Sequence, residues 1–157
     1  MMTEEIRAIL LEELEDLKRR ITENMGKADQ IVTGKTRDSM QVEVRGLAGV
    51  LTGRQAFATL ETGSRPWSRP PKRVPKWFAD LIGEWITAKG LDLNQWAVAH
   101  NIIHKGSQLS HTGGRADVYS PELQKTVDRI GERILDQYAV LVTDRLNINK
   151  ETIHVTI

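Results

Sequence analysis

Apolar residues recur at three- and four-residue spacing in three long stretches of the chain, which places them on one face of an α-helix. The first stretch covers residues 3–24, the second covers residues 75–89, and the third begins at Ser120. A glycine follows each of the first two, where a helix commonly ends. We therefore expect three helices with these apolar positions: Ile6, Leu10, Leu14, Leu17 and Ile21; Trp77, Phe78, Leu81, Ile82, Trp85 and Ile86; Leu123, Val127, Ile130, Ile134, Tyr138 and Leu141.

A shorter helix is predicted between the second and the third of these. It starts at Asp92, with Gln95 three residues later as the partner in a capping box. It continues through Trp96, Ala99 and Ile103 and ends at the next glycine.

Apolar and polar residues alternate in residues 40–45, which is the period of a half-buried β-strand. Residues 50–52 and 55–61 predict two further strands, and residues 152–157 predict a strand at the end of the chain. The short connections favour antiparallel neighbours. We therefore expect a single α+β domain over all 157 residues, with a small antiparallel sheet packed against a long N-terminal helix and C-terminal helices.

Composition narrows the class of protein without indicating a function. A chain of 157 residues with 39% hydrophobic residues can build one core. No apolar run approaches the roughly 20 residues that cross a bilayer, and the first residues lack the basic-then-apolar order of a signal peptide. We therefore expect no membrane partner. Since the chain has no cysteine, thiolate chemistry and disulfides are excluded.

The net charge of +1 hides a segregation of charge along the chain. Residues 4–16 carry six acids and one arginine, whereas residues 64–76 carry five bases and no acid. A molecule with one acidic and one basic face can attract copies of itself head to tail. Two independently solvated faces are the alternative.

The run Gly34-Lys35-Thr36 resembles the end of a phosphate-binding loop. That motif needs a glycine five positions earlier, and the residue there is Asp29, whose carboxylate would repel a phosphate. The following residues predict a strand, not a helix whose N-terminus could hold the anion. We therefore interpret this run as a polar turn, and we expect no nucleotide and no other cofactor.

Three histidines could form a metal site. His100 and His104 share one face of the predicted helix, and His111 could fold back from the loop that follows. No carboxylate or thiolate stands at the spacing of a zinc protease, and Asn101 occupies the position of a general base. A histidine-dependent metal hydrolase stays open as an alternative, although we expect no catalytic residue and no metal.

Residues 61–78 hold four of the five prolines and five basic residues, with Trp67 after the first basic residue and Trp77 after the last. Prolines stiffen a loop and reduce the entropy that it loses on binding. Tryptophan and arginine are favoured anchors of protein interfaces, and the same residues can grip phosphates and stack on bases. This pattern predicts a protein interface, with a nucleic-acid-binding module using residues 65–76, or a stiff connector, as alternatives.

Several short motifs resemble those of the small tail-completion or neck proteins of tailed bacteriophages and prophages. The resemblance spans roughly residues 30–145, and the pattern differs from the family at His111-Thr112-Gly113-Gly114-Arg115. It implies an α+β fold and a non-enzymatic role between the head connector and the tail tube, often as a ring of identical subunits. The motifs are Thr33-Gly34 with Ser39, Glu61-Thr62-Gly63-Ser64-Arg65-Pro66, Lys89-Gly90-Leu91, Ile102-Ile103-His104-Lys105-Gly106-Ser107 and Asp117-Val118-Tyr119.

On this basis we expect a virion protein, assembled in the bacterial cytoplasm, that contacts itself, the connector and tail proteins, and DNA passing through a ring. Gly63 would supply a positive backbone φ angle, and Glu61 would pair with Arg65 or with a neighbour. Residues 62–73 and 106–119 are predicted to be mobile in the free chain. The interface residues are predicted to be Glu61, Gly63, Arg65 and Pro66, which shape the loop, and Trp67, Arg69, Lys72 and Arg73, which face a partner.

Overall fold

A computed structural model describes the backbone of residues 2–152 and the side chains of residues 2–145. Helix α1 (Met2–Lys27) is followed by a single turn, α2 (Lys35–Asp38). The strands β1 (Gln41–Arg45) and β2 (Ala48–Thr52) then form a hairpin. The predicted helix over residues 3–24 and the strand over residues 40–45 are confirmed to within three residues.

The hairpin packs against the buried face of α1. The strands β1 and β2 are antiparallel, with Gln41 opposite Thr52 and Arg45 opposite Ala48. Gly49 lies so close to α1 that a Cβ atom there would meet a methyl group of Leu14 at 2.5 Å. The core beneath the hairpin consists of α1 residues together with Met40 and Val118: Leu14, Leu17, Ile21, Met25, Met40 and Val118.

The predicted strand over residues 55–61 is wrong. A 3₁₀ turn (Gln55–Ala58) leads directly into a short helix, α3 (Thr59–Thr62). Helical spacing puts Phe57 and Leu60 on the same side, where both pack on the core, and it buries the side chain of Glu61. Strict alternation would have sent neighbouring residues to opposite sides and left part of this set in solvent.

Helices α4 (Lys76–Ala88) and α5 (Gln95–Lys105) pack against each other around a second, smaller core. That core holds Phe78, Ala99 and Ile103. The predicted helix cap at Asp92 is wrong, because the side chain of Asn94 accepts the hydrogen bonds from the first backbone N–H groups of α5. The second predicted helix is confirmed, starting one residue after Pro75.

A cleft of about 490 Å³ separates α4 from the segments 29–37 and 54–60. The ion pairs Lys35–Glu84 and Lys89–Asp29 link the two sides of this cleft. The pair of helices α4 and α5 therefore forms a unit beside the core of α1 and the hairpin.

The chain continues through a single turn, α6 (Gln108–His111), to the long helix α7 (Ser120–Thr152), which begins where the sequence predicts. Helix α7 runs antiparallel to α1, since Asn24 donates to the carbonyl of Val118 at 3.0 Å while Arg129 and Arg133 contact Glu13, nearer the start of α1. Of the strand predicted at residues 152–157, Thr152 is the last residue of α7, and residues 153–157 lie outside the described residues.

Within the described residues, the fold is a two-stranded antiparallel sheet packed against a long N-terminal helix, with helices following. The predicted α+β class is therefore confirmed. The predicted burial of the apolar stripe of α7 is confirmed only in part, because Val127 is 61% exposed and Tyr138 is 43% exposed. Trp77, expected in the core, is 63% exposed.

Candidate interaction surface

A buried carboxylate anchors the start of the proline-rich, basic segment 61–78. Glu61 is only 4% exposed, and its Oε1 atom accepts hydrogen bonds from the backbone N–H groups of Val118, Tyr119 and Ser120 at 3.0, 2.7 and 2.9 Å. Its Oε2 atom accepts from the hydroxyl of Ser120. Backbone N–H groups at a helix N-terminus lack partners inside the helix and favour a negative charge. Glu61 therefore caps α7 and ties the loop to it.

These contacts also set the charge state of Glu61. Burial alone would raise the pKa of the carboxyl group, but the hydrogen bonds from the hydroxyl of Ser120 and from the three backbone N–H groups outweigh it. The net effect lowers the pKa of Glu61 below its ordinary value. The expected pairing with Arg65 is not found among the described residues, since the carboxylate is already occupied by α7.

Gly63 has the expected positive φ angle, 70°, with a ψ angle of 177°. This region of backbone space is accessible almost only to glycine. The site also has no room for a side chain, because a Cβ atom on Gly63 would lie 2.5 Å from the backbone nitrogen of Ser110 and 2.7 Å from the hydroxyl of Ser107. Two hydrogen bonds join the next residue, Ser64, to Ser107. The N–H of Ser64 donates to the hydroxyl of Ser107 at 2.9 Å, and the carbonyl of Ser64 accepts from the N–H of Ser107 at 2.7 Å.

The middle of the loop is held by α5 and by an aromatic cluster. The backbone N–H of Trp67 donates to the carbonyl of Ile103 at 2.9 Å. The indole ring of Trp67 lies 5.3 Å from the ring of Phe78 and 6.0 Å from that of Trp77, with which it is stacked. Pro66 lies against Gly106. The loop is thus tied to α5, α6 and α7, and its mobility in solution stays a prediction.

The remaining predicted interface residues form an uncompensated positive surface. Arg65, Arg69, Lys72 and Arg73 are exposed, and none of them forms an ion pair with any residue that the structure describes. Lys76, by contrast, pairs with Asp80 at 2.6 Å. We define the basic loop as residues 64–75. It presents four unpaired cations beside the exposed face of a tryptophan.

The acidic segment near the N-terminus is largely neutralised within the chain. Glu13 is buried and accepts from Arg129 at 2.8 Å and from Arg133 at 2.9 Å, and Glu12 accepts from Arg133 at 2.7 Å. Asp16 pairs with arginines of its own helix. Residues 4–16 therefore serve mainly to join α1 to α7. Since most of these carboxylates are already paired, they are a weak binding surface for the basic loop of another copy.

Two of the three histidines lie together. His100 and His104 are exposed on α5, with ring centroids 4.3 Å apart, as the four-residue spacing predicts. Within residues 2–145, whose side chains are described, no group of three or more histidine, cysteine or acidic side chains is arranged to hold a metal ion. His111 therefore does not complete a site with the pair.

The run at Gly34 is followed by the single helical turn α2, not directly by the predicted strand. Lys35 pairs with Glu84 and Arg37 with Asp38, so carboxylates already neutralise the cations that a phosphate would need. This geometry gives no support to a phosphate site.

Comparison of the chain with protein-family models, with curated proteins and with solved structures found no match in any of the three. Among the helices of the described part of the chain, none has the length and apolar character required to cross a bilayer. The candidate site therefore depends on the geometry of the basic loop and its anchors.

Sequence reasoning identified the loop but missed most of what holds it. Ser107, Ser110 and Ser120 were not assigned to it, because each lies more than 40 residues beyond the segment that it contacts. Trp77 was assigned to the apolar face of its helix, whereas its exposed ring stacks on the half-buried ring of Trp67 in the loop.

Proposed function

We propose that this chain is a structural component of a phage or prophage virion, a tail-completion or neck protein that joins the head connector to the tail. It acts through contacts with other proteins and with copies of itself, not by catalysis. It assembles in the bacterial cytoplasm and stays in the virion. The observation that carries the proposal is the basic loop, an anchored segment with four exposed cations that have no ion-pair partner among the described residues.

The anchoring of the loop supports a binding role. A segment held in one conformation before binding loses less conformational entropy when it docks. Buried contacts at Glu61, Gly63 and Trp67 fix both the start and the middle of the loop. Exposed arginines and an exposed tryptophan are the side chains that contribute most to protein interfaces.

A second function is favoured by the stacked pair of tryptophans. Trp77 exposes 63% of its surface beside the four unpaired cations, which is the combination that single-stranded nucleic acids bind. On this reading the basic loop would contact DNA. Affinity of the free protein for DNA that falls steeply as salt rises would support it, and absence of binding at low salt would remove it.

The test of the proposed function is charge reversal in the basic loop. The variant R69E/R73E is expected to fold normally, because both side chains are exposed and make no ion pair that the structure describes. It is expected to block the joining of heads to tails in an assembly assay. The matched control K27E/R54E reverses two exposed cations elsewhere that also make no ion pair with a described residue, and it should leave joining intact. Normal joining by R69E/R73E would contradict the proposal.

A further inference from the structure

One face of α7 is apolar, exposed and bordered by acids. Val127, Leu135, Tyr138 and Val142 expose 61, 69, 43 and 54% of their surface. At 3.6 residues per turn they form one row, and that row lies on about the opposite side of the helix from the residues that contact α1. Isolated exposed apolar residues are ordinary, but several along one helix face, here interrupted at Gly131, mark an interaction surface.

The acids form a ridge along one border of this row. Asp128, Glu132 and Asp136 follow one another at four-residue spacing, so they lie on one flank of α7. All three are exposed, and none forms an ion pair with a residue that the structure describes. We call the apolar row and these three acids the α7 face.

The α7 face and the basic loop are complementary in charge and in apolar character. One surface has three unpaired acids beside a row of large apolar side chains, and the other has four unpaired cations beside the exposed Trp77. No ion pair joins the two surfaces within the described part of this chain. Each is therefore left open to another molecule.

We propose that the basic loop of one copy docks on the α7 face of a second copy. The inference rests on the proposed function, since it names the partner of the same loop. The two surfaces are different parts of the chain, so the contact is head to tail, and an open assembly keeps one free loop at one end and one free α7 face at the other. Such contacts close into a ring when the rotation between neighbours permits.

The experiment uses charge reversal on each surface of the full chain. The loop variant is R69E/R73E and the ridge variant is E132K/D136K, and solution mass is measured as a function of protein concentration. The unmodified chain is expected to self-associate, and each variant is expected to weaken self-association by at least about tenfold. The control K27E/R54E should associate like the unmodified chain, and circular dichroism should show that all variants are folded.

Mixing the two variants gives the sharper result. R69E/R73E leaves only Arg65 and Lys72 as cations of the loop, whose net charge becomes zero, and E132K/D136K leaves only Asp128 as an acid of the ridge, whose net charge becomes +1. Each variant alone therefore lacks one of the two charged surfaces. In a mixture, the unaltered loop of the ridge variant meets the unaltered α7 face of the loop variant, so we expect the equimolar mixture to form heterodimers at concentrations where each variant alone is monomeric.

The inference is overturned if the unmodified chain stays monomeric at all concentrations, if either reversal leaves the mass unchanged, or if the mixture does not assemble. Its failure is distinguishable from failure of the proposed function. If R69E/R73E blocks head–tail joining but leaves self-association unchanged, the loop contacts a different protein and the proposed function stands. If it blocks self-association but heads and tails still join, the proposed function fails and the contact between copies stands.

Discussion

Glu61 accepts hydrogen bonds from both the backbone N–H and the hydroxyl of Ser120, a residue 59 positions later in the chain. This relationship places the first residue of the proline-rich segment against the start of the longest helix. The basic loop therefore begins from a buried, hydrogen-bonded anchor, and a change at Glu61 should affect both the loop and α7.

Replacing Glu61 by glutamine should lower the free energy of unfolding by about 1.5–3 kcal/mol, the range for hydrogen bonds to charged groups. The amide loses the negative charge that favours the N-terminus of α7, and it loses one acceptor oxygen. Urea unfolding measures this change. The control Glu84→Gln removes an exposed carboxylate from the pair with Lys35 and should change stability by less than about 1 kcal/mol. Equal effects of the two substitutions would contradict the anchor role.

The lowered pKa of Glu61 makes part of the stability dependent on pH. Because the folded state lowers this pKa, the contribution is fully present above the ordinary glutamate value of about 4.3. It is lost as the pH falls through the lowered pKa of the folded state. The stability difference between the unmodified chain and Glu61→Gln should therefore be constant near neutral pH and shrink below about pH 4.3. A difference that does not change between pH 7 and pH 3 would be inconsistent with this.

Replacing Gly63 by alanine should destabilise the protein by about 2–3 kcal/mol, since it combines an unfavourable backbone conformation with a steric clash. The added Cβ atom would meet the backbone of Ser110 at 2.5 Å. Gly90 is the matched control, because it also has a positive φ angle, 64°, but its Cβ atom would have open space around it. Gly90→Ala should cost only about 1 kcal/mol, and thermal unfolding compares the two.

The junction of α1 and α7 should be sensitive to Glu13. Burial alone would raise the pKa of Glu13, but hydrogen bonds from Arg129 and Arg133 outweigh it and hold the carboxyl group ionised. Glu13→Gln weakens both bonds and should cost about 1–3 kcal/mol. Glu12, which is exposed and also pairs with Arg133, serves as the control, and Glu12→Gln should cost less than about 1 kcal/mol. Comparable losses in urea unfolding would rule out a special role for Glu13.

Local patterns predicted the elements whose contacts are local. Three patterns were sufficient to predict an element: the periodicity of α1, the Ser-Pro-Glu start of α7 and the alternation in residues 40–45. Each of them involves residues that lie close together in the sequence. The strand predicted at residues 55–61 was wrong because burial of Phe57 and Leu60 required helical spacing.

The sequence predicted which residues form the candidate site but not the contacts that hold them in place. Proline and arginine content identified the basic loop, and the positive φ angle of Gly63 was foreseen. The capping role of Glu61 depends on residues 57 to 59 positions away, which no local pattern reports. Periodicity also could not reveal that the apolar row of α7 is exposed, because a face that packs within the chain and one that packs on a partner have the same spacing.

We propose that this chain is part of the junction between head and tail. The most direct measurement is immunogold electron microscopy of purified particles, with antibodies raised against this chain. Label is expected at the head–tail junction, in several copies per particle, and it should be absent from the unjoined heads and tails made without the gene. Intact tailed particles that carry no copy of this chain would contradict the account.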